Sequence, residues 1–371
     1  MSPGIEGRLE TVVCLGKAVS WYGSRSGYYA RLPEALRKVG LKVEQVVPRD
    51  GFLARAVGKL IAMARRYPSR NQAASLAEYV FDLLRQRHQP GCSVILSVED
   101  HLAYGTFWAR RKGRVPRNII PVIHYPYELW RPEELQALAR FQSALILYTS
   151  DIPRFEKHLG EGRLRAVLHG VDIAFFSPPR EEQRHPDRVL FVGQFGRDYR
   201  TLVRVFNHLS GWRPRLEFHV LTGSWGYENP AWSELDPGVR VVRHSGLGDA
   251  ALRELYQTCT LMVQPLEHCA ANNAVVEGLA CGIPIVASDV GGIRDYGGGQ
   301  IFPVAPAGDP EAFNALAVEL LSAPDKLADL SVQEREFAEM KLTWETSARS
   351  HIEAFRSLLE PSPDRSPSSL N

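Results

Sequence analysis

The residues of this chain best suited to chemistry lie in 269-CAANNAVVEGLACGIPIVASDVGG-292. Two asparagines, Asn272 and Asn273, precede a run with helical spacing, and either one can serve as its N-cap. A helix that starts there directs unpaired backbone N–H groups outward, and such an end attracts anions, phosphate above all. Glu277 falls one turn inside, on the face that Asn273 occupies. Its carboxylate repels a phosphate but accepts hydrogen bonds from paired hydroxyls, a requirement that a ribose diol meets. Cys281-Gly282 with Pro284 beyond it stops the helix. The run 283-IPIVAS then reads as a buried strand, and the glycines of 289-DVGG as a tight turn.

Such a site needs strands and helices to hold it. Short β-branched runs recur through the chain, each followed by a helical pattern. In the first half they are 11-TVVCLG, 43-VEQVV, 93-SVILSV, 119-IIPVI and 144-ALILYT. In the second half they are 188-RVLFVG, 216-LEFHVL, 239-VRVVR, 260-TLMVQ and 283-IPIVA. Continuous apolar strands imply parallel sheets covered on both faces, and alternation with helices makes each half a doubly wound α/β domain. The Pro- and charge-rich 176-FSPPREEQRHPDR reads as the linker between them. Two Rossmann-like domains, 1–175 and 183–342, then face each other across a cleft, where open α/β sheets place ligands. The segment 361–371 is low in apolar residues and reads as a disordered tail. The opening MSPGIEGR reads either as a protease-cleavage linker or as a natural disordered start.

Composition sets the outer limits. With 371 residues, 44% hydrophobic and 23% charged, the chain has the profile of a globular protein of two domains. No apolar run is long enough for a spanning helix and no signal peptide is read. Five cysteines without regular spacing point to a reducing cytoplasm rather than a disulfide framework, and no CxxC pair or His cluster suggests a metal. The charge is uneven: residues 1–175 carry 26 Lys+Arg against 16 Asp+Glu, the remainder 18 against 26. A basic half joined to an acidic half fits different partners for each, or lineage composition.

The string GLACGIPIVASDVGG, with Glu277 before it, resembles the signature of the retaining, family-four (group 1) glycosyltransferases of GT-B fold. The resemblance covers most of residues 165–360 and the first domain loosely. It implies a nucleoside-diphosphate-sugar donor whose ribose hydroxyls are bound by Glu277 and whose diphosphate meets Asn272 and Asn273. An earlier glutamate of the family motif contacts the donor sugar; here its position is Cys269, so Cys269, Ala270 and Ala271 are the donor-sugar residues. The run 169-HGVDIAFFSP is similar to the family's entry into the second domain. The run 189-VLFVGQFGRDYRTL resembles its cation-bearing loop, with Gln194 where an arginine is usual. Arg200 follows six residues on, and Arg197 stands ready to replace the missing cation; both suit phosphate oxygens. Gly27, opening the helix YYARLPEALRKVG, would let the first domain approach the donor phosphate.

His124 ends a strand inside the expected cleft. Relatives often carry a histidine there, and a neutral imidazole suits a sugar hydroxyl or a proton transfer; an ordinary loop histidine is the other reading. No D-x-D occurs, so the resemblance implies a metal-independent enzyme without cofactors, with front-side attack and retention. It also implies that the final helix, 343–360, packs back on the first domain. In that domain 51-GFLARAVGKLIAMARRYPSR places Arg55, Lys59, Arg66 and Arg70 opposite an apolar face, and 110-RRKGRVPR adds charge. Such helices lie on anionic membranes or simply on a protein core. A nucleic-acid partner would explain the basic half but not the ribose-phosphate signature. The expected acceptor is a glycan, a lipid-linked chain or a small molecule. A non-catalytic nucleotide-sugar-binding subunit of the same fold is the alternative.

Overall fold

The computed structural model describes residues 11–15, 25, 27–46, 92–96, 113–180 and 184–359. They build two six-stranded sheets, ordered β2-β1-β3-β4-β5-β6 and β12-β11-β10-β7-β8-β9, and every pairing is parallel. The first comprises β1 (Thr11–Leu15), β2 (Lys42–Val46), β3 (Cys92–Leu96), β4 (Ile119–Ile123), β5 (Ala144–Ile146) and β6 (Leu164–Ala166). The second comprises β7 (His185–Val192), β8 (Glu217–Leu221), β9 (Arg240–His244), β10 (Cys259–Gln264), β11 (Ile285–Ser288) and β12 (Val304–Ala305). Parallel pairing puts all strand C-termini of a sheet on one edge, so the loops that leave those ends share a surface.

The apolar runs are buried as their composition demands. Strands β4, β10 and β11 are buried along their whole length. The helices of the second domain include α4 (Tyr199–Trp212), α5 (Ser224–Tyr227), α6 (Asp249–Thr258) and α7 (Asn273–Cys281). They follow α1 (Tyr28–Lys38), α2 (Pro132–Leu138) and α3 (Ile152–Leu159) of the first. After Asn273, helix α7 is apolar except for Glu277, and it is covered on all sides: Ala274 to Cys281 are buried without a break. Gly278 lets it sit down on the sheet, since a Cβ there would lie 2.7 Å from the Met262 methyl. Helices α8 (Pro310–Leu321) and α9 (Pro324–Lys341) complete the covering layers.

The last helix, α10 (Trp344–Leu359), leaves the second domain and joins the first. Ala348, Ala354, Phe355 and Leu358 belong to the same apolar cluster as Leu32 and Leu36 of α1. Polar contacts fix its position: Arg117 Nε donates to the Leu358 carbonyl at 3.1 Å, and Arg165 Nε to Ser357 Oγ at 3.0 Å. Arg117 is thus engaged in capping a helix, which removes one cation of the 110–117 cluster from a free basic surface. The Gly170 backbone touches Trp344, and a Cβ there would lie 2.6 Å from the indole.

A second junction sits on the short helical turn Gly291–Tyr296. Asp295 accepts from the Thr149 amide at 2.7 Å and from Thr149 Oγ1 at 2.6 Å. Tyr296 Oη donates to the Leu147 carbonyl at 2.8 Å while accepting from the His169 amide at 2.9 Å. Asp172 of 169-HGVD accepts from Arg25 at 3.2 Å, and Phe175 lies between the guanidinium groups of Arg25 and Arg253.

The α/β class and parallel strands agree with the sequence. Strands β6 and β12 were not read there, being only three and two residues long. The linker is shorter than 176–188, because Phe176 is core and the strand β7 begins at His185. The helical reading of 51–70, residues 110–112, the opening segment and the tail 361–371 lie outside the described residues.

Candidate active site

Three loops leave the C-terminal ends of β7, β10 and β11, and close backbone approaches lock them together. The loop after β7 runs Gly193-Gln194-Phe195-Gly196-Arg197-Asp198. At Gly196 (φ 67°) a Cβ would lie 2.5 Å from the His268 carbonyl, so only glycine allows this contact. The Glu267 amide donates to the Gly196 carbonyl at 3.0 Å, and the Asp198 amide to Pro265 at 3.1 Å. On the other side, Gly291 and Gly292 press on the carbonyls of Cys269 and Ala270, and the Gly292 amide donates to the Cys269 carbonyl at 3.1 Å.

This packing brings Arg197 to Asn272. The guanidinium folds back over the bare Gly193, donating from Nε to the Val192 carbonyl at 3.0 Å and from Nη1 to Phe195 at 2.9 Å. Its Nη2 then reaches Asn272 Oδ1 at 3.3 Å. Asn272 is the N-cap of α7, with the same Oδ1 accepting from the Val275 amide at 3.4 Å. Asn273 is therefore the first helical residue rather than the cap. A fixed cation and the positive end of a buried helix share one place, an arrangement suited to a diphosphate.

Arg200 does not join them. It is exposed on the first turn of α4, and the cap of that helix is Asp198, whose carboxylate accepts from the Thr201 amide at 2.9 Å and its hydroxyl at 2.6 Å. A carboxylate at that N-terminus disfavours a phosphate there. Of the two arginines expected at the diphosphate, the geometry assembles only Arg197 with α7.

Glu277 is only 5% exposed, and the Tyr256 hydroxyl donates to its Oε2 at 2.9 Å. Burial, then the adjacent carboxylate, push the Tyr256 hydroxyl far above its ordinary range, so it stays a donor. Cys269, also 5% exposed, directs its thiol to the Ala270 carbonyl at 3.1 Å. Burial raises that thiol to about 12, so the position carries no charge near neutrality. Ala270 and Ala271 pack against the apolar cluster of the first domain, which makes this loop a floor shared by both domains.

On the first domain, His124 follows β4 directly. Tyr29 Oη lies 2.9 Å from its Nε2, and the Tyr28 ring meets it edge-on at 4.9 Å. Tyr28 Oη in turn lies 2.5 Å from Nε2 of His351 on α10. Gly27 is the N-cap of α1 with φ −67° and ψ 115°, an ordinary extended conformation, so its own backbone does not require glycine. The next residue after His124 reaches across the cleft: the rings of Tyr125 and Phe195 stand 5.7 Å apart in a T-shaped contact. His124 and the Arg197 loop are therefore on facing walls of one cleft. Tyr29, Tyr256 and Tyr125 escaped the sequence reading because each acts through a partner distant in the chain. Among the described residues no cluster of three His, Cys, Asp or Glu side chains stands together as a metal site. No helix among them is long and apolar enough to cross a membrane.

Two facing parallel sheets, a cleft between their loops and a final helix returning to the first domain make this a GT-B glycosyltransferase fold. The model of the family described as Glycosyl transferases group 1 matches residues 186–323. A D-inositol 3-phosphate glycosyltransferase of Rhodococcus erythropolis is 28% identical over 324 residues, 76% of this chain and 72% of that protein. D-inositol 3-phosphate glycosyltransferase 2 of Catenulispora acidiphila is 25% identical over 221 residues, 54% of this chain; the match spans only about half, 52%, of that relative. Among solved structures, sucrose-phosphate synthase from Thermosynechococcus elongatus superposes with a TM-score of 0.72 at 17% identity, covering 94% of this chain and 99% of that one. HepE of Anabaena in complex with UDP-glucose gives 0.64 at 14% identity, covering 94% and 100%. At these identities the structural likeness concerns the fold.

Proposed function

We propose that the protein is a retaining, metal-independent glycosyltransferase that moves a sugar from a nucleoside-diphosphate sugar to a glycan, lipid-linked or small-molecule acceptor. The observation that carries this reading is the meeting of Arg197 with the N-cap Asn272 of a buried helix that also bears Glu277. Charge that develops on a leaving diphosphate is stabilised there by a preorganised guanidinium and backbone N–H groups, the role a divalent ion would otherwise fill. The Glu277 carboxylate suits the ribose diol. In the retaining route the leaving phosphate helps to take the acceptor's proton on the same face that the acceptor attacks. His124, oriented by Tyr29, faces the sugar from the first domain. The relatives named for D-inositol 3-phosphate glycosylation and the neighbour holding UDP-glucose support a nucleotide-sugar donor.

Incubation with UDP-, GDP- and ADP-sugars, followed by proton NMR of the anomeric signals, tests the reading. Transfer or donor hydrolysis with the donor's anomeric configuration retained is expected, undiminished by EDTA. An inverted product would sink the retaining assignment, and loss with EDTA the metal independence.

A non-catalytic nucleotide-sugar-binding subunit is the second reading, favoured by the neutral Cys269 where the related motif has an acid. Tight donor binding with neither hydrolysis nor transfer to any acceptor would select it. We place the protein in the cytoplasm, with the basic segments 51–70 and 110–117 as a peripheral contact to the anionic inner membrane face. Salt-sensitive cosedimentation with anionic liposomes is then expected, and salt-insensitive or absent binding would remove the membrane from the account.

A further inference from the structure

The Arg197–Asn272 locus lies over the ends of β7 and β10, and a nucleoside diphosphate bound there extends well beyond it. Parallel strands are spaced by about 4.8 Å, so the end of β8 lies roughly 5 Å past β7 and that of β9 roughly 10 Å past it. In the opposite direction, toward β11 and β12, the edge is filled. Gly292 abuts Ala270 and Tyr148, and Asp295 is bonded to Thr149. The open direction for the rest of the nucleotide is across β8.

There the chain makes the turn Thr222-Gly223-Ser224-Trp225. Gly223 rests directly on the Gln194 amide of the Arg197 loop, so close that a Cβ would lie 2.1 Å from Oε1. The residues after it are anchored. Gly226 sits over Thr222 and Tyr199, its carbonyl accepts from the Trp232 indole at 2.8 Å, and the Tyr227 hydroxyl donates to the Val220 carbonyl at 2.6 Å. Trp225 is the large apolar side chain of this turn that faces out, 58% exposed, with Ser224 and Glu228 exposed around it. A large apolar ring held outward by a firmly bonded turn loses burial without gaining flexibility, which is informative where a single exposed aliphatic is not. A second observation concerns the same spot: Gln194 Oε1 is buried and has no hydrogen-bond partner among the described residues. Such an acceptor costs free energy until a donor arrives.

We propose that Trp225 is the stacking platform for the nucleobase of the donor, with the Gln194 amide at the base's hydrogen-bonding edge. The assignment rests on the nucleotide-sugar reading of the site and extends it to the base. Every nucleobase offers a π-face to the indole, and uracil, guanine and adenine each carry an N–H donor for the orphaned amide oxygen once the Gln194 side chain rotates out from beneath Gly223. Gln194 thereby has a task that an arginine at its position would not perform: a neutral amide against a neutral base edge.

The test is calorimetric titration of UDP, GDP, ADP and inorganic pyrophosphate into the wild-type chain, Trp225→Ala, Trp225→Phe and Gln194→Leu, with thermal unfolding to confirm that each is folded. Base–aromatic stacking predicts that Trp225→Ala weakens the preferred nucleoside diphosphate about 5- to 100-fold and leaves pyrophosphate unchanged. Trp225→Phe should recover most of that loss, and Gln194→Leu should weaken the nucleotide but not pyrophosphate. Unchanged nucleotide affinity in Trp225→Ala, or an equal loss for pyrophosphate, overturns the stacking role while leaving the glycosyltransferase reading intact. Unchanged affinity in Gln194→Leu removes the edge contact. A wild-type chain that binds no nucleoside diphosphate overturns both the platform and the reading beneath it.

Discussion

Arg197 Nη2 stands 3.3 Å from Asn272 Oδ1, so a side chain from the loop after β7 is bonded to the residue that caps the helix after β10. The pair places one fixed positive charge beside the positive end of a helix dipole. Arg197→Ala should lower nucleoside-diphosphate affinity by about 10- to 100-fold, the range of a charge-assisted hydrogen bond. Arg197→Lys keeps the charge but not the fork that bonds Val192, Phe195 and Asn272 together, and should fall between the two. Arg200→Ala, at an exposed position, should change affinity by less than about threefold, within the scatter of surface substitutions. Equal losses for the two arginines would contradict the placement.

Glu277 and Tyr256 separate binding from stability. Glu277→Gln should reduce the preference for UDP over 2′,3′-dideoxy-UDP by about tenfold, because a carboxylate offers two charged acceptor oxygens to hydroxyl donors and an amide only one, neutral, beside an NH2 that donates. Tyr256→Phe removes the donor to a buried carboxylate and should cost about 1–3 kcal/mol in urea unfolding. A dideoxy preference untouched by Glu277→Gln would take the ribose away from this residue.

Gly292 tests the floor shared by the domains. A Cβ there would lie 2.6 Å from Tyr148 Cβ and 2.7 Å from the Ala270 carbonyl, both held by rigid backbone. Gly292→Ala should therefore destabilise the protein by about 1–3 kcal/mol, as overpacking does elsewhere. Gly238→Ala, where nothing lies within 4 Å of the added carbon, is the control and should stay near wild type.

Acid sensitivity should come from His169 and His351. Burial lowers both from 6.5 to about 4 in the folded state. The unfolded chain binds these protons near pH 6.5 and the folded chain only near 4, so the stability linked to them is complete above 6.5 and is lost as pH falls toward 4. The loss approaches roughly 3 kcal/mol per histidine. At His351 burial is the main cause, with the nearby His169 adding to it and the Ser347 carbonyl, 2.6 Å from Nδ1, opposing it; Tyr28 Oη stands at Nε2, 2.5 Å away. His351→Gln should flatten the stability–pH curve between 6.5 and 4. The curve of the variant would keep its full slope if these protons were not responsible. Buried Glu334 works in the opposite sense, its carboxyl raised by burial, so the difference between variant and wild type is the quantity to read.

Cys269 separates a changed site from a lost one. Cys269→Ser keeps size and a donor for the Ala270 carbonyl and should retain nucleotide binding within about threefold. Cys269→Glu forces a longer, charged side chain into a space only 5% exposed and should destabilise the fold by about 2–4 kcal/mol. Higher turnover in Cys269→Glu with unimpaired stability would mean that the position still expects an acid.

What the sequence by itself determined is local. A cap at one of the two asparagines, Asn272 or Asn273, the stop at Gly282 and the buried strands on either side of α7 depend on residues within a few positions of each other, and short-range sterics and hydrogen bonding fix them; the structure makes Asn272 the cap. The parallel α/β architecture follows from unbroken apolar strands alternating with helices. Which of two neighbouring arginines reaches the helix end was decided only in three dimensions. Arg197 folds back because Gly193 leaves room beneath it and because Gly196 lets the β7 loop lie on His268; Arg200 points away with the helix that Asp198 caps. The same holds for Tyr256 beneath Glu277, Tyr29 on His124 and Gly223 against Gln194, partners set by sheet order and packing across 21, 95 and 29 positions of chain. Periodicity carries no record of such pairings, since their free energy comes from burial and close approach that exist only after the sheets have formed.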